Sequence, residues 1–286
     1  MAKVSIIRCN DYDRARVYDA VKRATDLSCG IKESIKPGMK VLVKPNLLSA
    51  RPPADAVDTH PEVVRAVVRL VKEAGGKVII GDSPGGFGKN INEVYEISGM
   101  KKMAEEEGVD LVKFTNAKFV DGIPISRYVF DCDIMISVPK FKTHCITMIT
   151  AAIKNTYGAV IGMHKAAAHS TAPREEEFAK VIAKVFSIAK PNITVVDGIV
   201  AMEGDGPSSG EPRKLGFVMA GFDAVAVDSC LAEMIGIRPL DILVTKEAYG
   251  MALGEADMSL IELLGDNFAD FKLKDFKLPQ RSVIKI

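Results

Sequence analysis

Lys140, Lys142 and His144 stand at alternate positions directly after the apolar run at 133–138. Alternation puts the three side chains on one side of an extended chain. Cations so placed repel one another unless an anion or carboxylate lies between them. His144 is the natural general acid or base of such a group. Thr143 sits inside the cluster, and Lys154 and Asn155 follow among Ala, Ile and Thr. A lysine in that apolar setting is expected to be paired, and Lys140 or Lys154 would stabilise an enolate or oxyanion.

Three further polar groups follow apolar runs. Lys44 and Asn46 come after Val41, Leu42 and Val43, where a lysine suits an anionic group. The stretch 81–89 holds Asp82, Ser83, Gly85 and Gly86, whose backbone N–H groups can cradle phosphate or carboxylate. It is not a P-loop, which would need Gly at Ser83 and Ser or Thr at Asn90. Asp197, Glu203 and Asp205 fall in a glycine-rich stretch that reads as a loop. They would bind a divalent metal of the Mg²⁺ type, form an acid/base pair in which Asp197 takes part in proton transfer, or serve as counter-charge to the lysine cluster. His164 is added as a ligand-binding candidate, and His169 lies too far from it for a helical metal pair. Each group also has a plainer reading, as a solvated strand cap, a surface loop or an acidic loop.

The elements that would position these residues alternate between strand and helix. Short β-branched runs at 3–7, 40–44, 77–81, 109–114, 133–138, 192–196 and 215–220 read as strands. Helical spacing marks 14–24, 92–107 with Gly99 interrupting, 147–157, 173–189, 223–235 and 241–253. The helix after His60-Pro61 is expected to be capped by Thr59 and to bury Val63, Val64, Val67, Val68 and Val71. This order predicts an α/β fold: a parallel or mixed central sheet with helices on both faces, as one domain over 1–286, with a two-lobed arrangement also open. In such sheets ligands sit outside the carboxyl ends of the strands, which is where the polar groups fall.

Composition narrows the function classes. The 286 residues carry 38 Lys+Arg against 37 Asp+Glu, which leaves no basic excess for nucleic acid or a membrane surface. The longest run without charge, 143–153, is far short of the roughly 20 residues of a membrane span. The first residues lack an apolar signal core and read as a strand. Cys9, Cys29, Cys132, Cys145 and Cys230 form no CxxC pair, so the expectation is a reduced, cytoplasmic protein.

The segments VLVKPNLL, THPEVVRAVV, GDSPGG, SVPKFKTH, AAIKN, VDGIVAMEGDGP and DAVAVDS occur in order from about Val41 to about Cys230. Together they resemble domain-of-unknown-function family 362, known mainly from prokaryotes. Many members of that family carry a carboxyl-terminal ferredoxin-type domain with two four-iron clusters. This sequence has no cysteine beyond Cys230, so no ferredoxin domain is expected. The resemblance then implies redox chemistry only with a ferredoxin-like partner or with clusters ligated between chains. Three functions stay open: an enzyme holding an anionic carboxylate or phosphate, with metal-assisted acid/base chemistry; an iron–sulfur or cofactor-binding subunit; and a non-catalytic ligand-binding protein. A homo-oligomer is compatible with each.

Overall fold

The computed structural model describes residues 1–85, 90–162, 165 and 174–280. Its strands are β1 (Ala2–Arg8), β2 (Lys40–Pro45), β3 (Lys77–Asp82), β4 (Asp110–Lys113), β5 (Ala117–Val120), β6 (Ile123–Ser126), β7 (Ile134–Val138), β8 (Lys140–His144), β9 (Met148–Thr150), β10 (Ile193–Glu203), β11 (Glu211–Gly221) and β12 (Ile261–Gly265). The main helices are α1 (Arg14–Ser28), α2 (Pro61–Glu73), α3 (Ile91–Ile97), α4 (Met100–Glu107), α5 (Ala152–Asn155), α6 (Glu175–Ile188), α7 (Ala224–Met234) and α8 (Leu243–Gly250).

Ten strands form one sheet in the order β12-β1-β11-β10-β7-β2-β3-β4, with β8 paired to β10 and β9 to β8. Along that path every pair is parallel except the two made by β11. β5 and β6 make a small separate two-stranded ribbon. Both faces are covered because each strand alternates two apolar sides. On one face α1, α2 and α4 pack over Ile7, Val41, Val43, Ile136 and Val218. On the other, α6, α7 and α8 pack over Val4, Ile6, Val196, Phe217 and Met219. From β2 the chain passes to β3 and β4 on one side, and only later fills the other side with β7 and β10. The boundary between β2 and β7 is therefore the topological switch point, where a crevice opens at the carboxyl ends.

The five valines expected on the inner face of α2 are all fully buried. Its cap is His60 rather than Thr59: the His60 ring accepts a hydrogen bond from the Glu62 N–H. Thr59 is drawn away, because its hydroxyl donates to the Val138 carbonyl and accepts from the Asn46 N–H. That bond ties the end of β2 to the end of β7. The expected helix at 147–157 is instead β9, then α5 and a 3₁₀ turn over Thr156–Ala159. Thr147, Ile149 and Thr150 are β-branched and favour the extended chain. The stretch after Asp197, expected to be a loop, continues as strand to Glu203 with an irregularity between Gly198 and Val200.

Candidate functional site

A cavity of about 540 Å³ lies at the switch point. Asn46 and Leu48 line it from the end of β2, and Asp82, Ser83 and Gly85 from the end of β3. Lys142, His144, Cys145 and Thr150 enter from β8 and β9, and Lys154, Asn155 and Gly158 from α5 and the turn after it. Lys165, Pro207 and Ser208 complete the wall.

Lys44 emerges at the end of β2 and pairs with Asp82 at 2.8 Å, with both side chains buried. Asn155 accepts from the Lys44 ammonium at 3.2 Å and donates to the Lys44 carbonyl and the Ser137 hydroxyl. Asp82 also accepts from the N–H groups of Leu47 and Ser83. A β-carbon at Gly158 would collide with both Lys44 and Asp82, so glycine lets the turn close over the pair. Burial pushes the Lys44 ammonium below its usual range, and Asp82 opposes that shift.

Lys142 is buried and donates to the Val57 carbonyl at 2.5 Å. Burial lowers its pKa and raises that of Asp58, and each group restrains the shift of the other. Lys154 is half-buried, its ammonium 4.8 Å from the Tyr157 ring centre and 5.6 Å from that of Phe178. Burial holds it at about 8. Lys165 donates to the Ser83 carbonyl at 2.5 Å, and burial pushes it down to about 7. Among the described residues no carboxylate forms an ion pair with Lys142, Lys154 or Lys165. His144 accepts on Nδ1 from the N–H groups of Ile146 and Thr147, which leaves the proton of the neutral ring on Nε2.

Lys140 and Asp197, expected in catalysis, instead pair with each other, the counter-charge role also open for Asp197. They form a fully buried pair at 2.6 Å behind the cavity and do not line it. The remaining Lys140 donors go to the Tyr12 hydroxyl and the Val200 carbonyl, both at 2.9 Å. Asp197 accepts from Tyr12, from the His60 N–H and from the Ile199 N–H. Tyr12 stacks on His60 with ring centres 3.6 Å apart, and burial lowers the His60 pKa to about 4, so its ring stays neutral. Thr143 turns from the cavity and accepts from the Gly206 N–H.

The carboxylates expected to share a metal do not meet. Six residue steps along β10 separate Asp197 from Glu203, on the order of 20 Å. Glu203 pairs with Arg213 at 2.6 Å, and Asp205 accepts from the Gln280 N–H. Among the described residues no group of three His, Cys, Asp or Glu is placed to hold a metal ion. The five cysteines are free and dispersed, three of them buried. Gly86, His164 and His169 lie outside the described residues.

Asp58, Thr150, Lys165 and Asp228 carry parts of the site that sequence reasoning missed. Asp228 accepts from the N–H groups of Ala152 and Ile153, at 2.7 and 3.0 Å, and so holds the turn that presents Lys154. Burial lifts it to about 7. In the sequence Lys165 is legible as a lone cation in a small-residue stretch, between His164 and His169.

The fold and cavity define an α/β protein with a lysine-rich pocket at its switch point. The chain belongs to the family described as Domain of unknown function (DUF362), whose model matches residues 41–233. That span holds every residue lining the cavity. The chain is 31% identical over 290 residues to Thylakoid-associated protein sll1697 of Synechocystis sp., covering 96% of this chain and 89% of that protein. It is also similar to the lactate racemase apoprotein from Thermoanaerobacterium thermosaccharolyticum, at 12% identity and a TM-score of 0.47 over 78% of this chain. The chain spans about half the length of that structure, 54% of it. No helix among the described residues is long and apolar enough to cross a membrane.

Proposed function

We propose that the chain is an acid–base enzyme acting on a small carboxylate or phosphate held in the switch-point cavity. One observation carries this reading: the cavity lining holds three lysines against a single carboxylate, and that carboxylate, Asp82, is already paired with Lys44. Buried ammonium groups that outnumber the carboxylates near them are costly, and a bound anion lowers that cost. Lys154 and Lys165 take the anion. Lys142, lowered by burial toward neutrality and coupled to Asp58, exchanges protons with the substrate, and His144 Nε2–H acts from the same strand. Lys44, Asn46, Ser83, Gly85 and Asn155 shape the pocket around them. The reading keeps a cytoplasmic setting, and fractionation of expressing cells distinguishes that from the thylakoid association named for the Synechocystis relative.

The test has two stages. Calorimetric titration with phosphate and propionate is expected to show binding of at least one; no heat and no thermal shift with either would sink the cationic pocket. Incubating small carboxylates with the protein in D₂O and following loss of carbon-bound protons by NMR then tests turnover. Exchange that disappears in His144→Gln or Lys142→Met supports an enzyme. Binding without exchange across the panel leaves a ligand-binding protein.

A further inference from the structure

The lysines of the cavity can only donate hydrogen bonds, so they account for one end of a ligand and not for the rest of the wall. Two other lining groups have unmet needs. The Thr150 hydroxyl is buried and has no hydrogen-bond partner among the described residues, and neither has Oδ1 of Asn46. Thr150 is the cross-strand neighbour of Lys142 in the β8–β9 hairpin, so the two side chains share one face. Asn46 lies across the mouth of β2, held through its backbone by two hydrogen bonds to Thr59. Buried polar atoms in folded proteins are almost always bonded; of the seven left unpartnered among the described residues, only these two line the cavity, where a ligand can reach them.

We infer that the ligand of this cavity is a hydroxyl-bearing anion, a polyol phosphate or a hydroxy acid, whose anionic end meets the lysines and whose hydroxyls bond to Thr150 and Asn46. A hydroxyl donates and accepts, as do the threonine hydroxyl and the asparagine amide, so it satisfies both orphans. A plain anion meets the lysines and can accept from Thr150, but it has no donor for Asn46 Oδ1. The cavity, about 540 Å³, falls in the range of small-molecule sites and is roomy for a three-carbon acid. This inference rests on the anion reading above and adds which anions are chosen.

The experiment compares matched pairs by calorimetric titration: glycerol 3-phosphate with propyl phosphate, and glycerate with propionate. The hydroxylated member is expected to bind about ten- to a hundred-fold tighter in at least one pair, as for a buried polar group left unmet. The pair that shows the difference tells phosphate from carboxylate. Thr150→Val and Asn46→Leu are each expected to shrink that gap, weakening the hydroxylated member more than the plain anion. Equal affinity within both pairs overturns the inference and leaves the anion reading standing. No binding by any of the four overturns both. The comparison in the parent protein stands even where a variant does not fold.

Discussion

Lys140 and Lys142 are two residues apart on one strand and are set up for different work. All the donors of Lys140 are spent on Asp197, Tyr12 and a carbonyl, whereas Lys142 has one carbonyl and a cavity. Lys142→Met is therefore expected to weaken phosphate binding about tenfold, the size of one charge-assisted hydrogen bond, and to cost less stability than Lys140→Met, because Asp58 keeps the N–H groups of Leu48 and Ser49. Lys140→Met strands a buried carboxylate and is expected to cost about 3–5 kcal/mol in urea unfolding. Its folded fraction should bind phosphate as the parent does; a Lys140 variant of parental stability and lost affinity would reverse these assignments. The sequence shows that this segment is crowded with cations. Which cation is neutralised depends on Tyr12, 128 residues away, and on Asp197, which β10 brings alongside β8. No local pattern carries that information.

Elements were legible in proportion to how strongly their own residues specify them. The valine stripe of α2 and the β-branched runs of β2, β3 and β7 need no distant partner to be read. The segment 147–157 misleads because its β-branched residues also fit a helical spacing, and only pairing with β8 decides for strand. Asp228 is the matching case for the site: an ordinary residue in DAVAVDS by sequence, it holds the first turn of α5 from a different helix. Asp228→Ala is expected to cost about 1–3 kcal/mol and, by loosening the turn that carries Lys154, to weaken phosphate binding as well. Stability and affinity measured on one preparation test both; loss of stability with intact affinity would mean that α5 keeps its place without the cap. Gly158→Ala drives a β-carbon into the Lys44–Asp82 pair and is expected to destabilise by about 3 kcal/mol.

At the scale of the whole molecule, the uncompensated lysines should make ligand-free stability depend on pH in an unusual direction. Lys154 and Lys165 sit at about 8 and about 7 in the folded chain, against an ordinary value of 10.5. Across that interval the unfolded chain binds more protons than the native one, so unfolding free energy rises with pH. The stabilisation is complete above the unfolded value and is lost as pH falls through the folded values. Buried thiols act the other way: Cys29 is held at about 12 and Cys230 also upward, so the unfolded chain ionises first near its ordinary thiol range. The usable window is thus about pH 7 to 8.5. Within it the ligand-free protein is expected to melt a few degrees higher at the upper end, and Lys154→Met with Lys165→Met should flatten the slope. Sulfate is the proper probe of the bound state, because its charge is constant over the window while phosphate changes its own. Sulfate favours the protonated lysines, so its stabilisation should be largest at pH 7 and shrink toward 8.5. A sulfate shift of equal size at both ends would mean that these lysines do not titrate between pH 7 and 8.5.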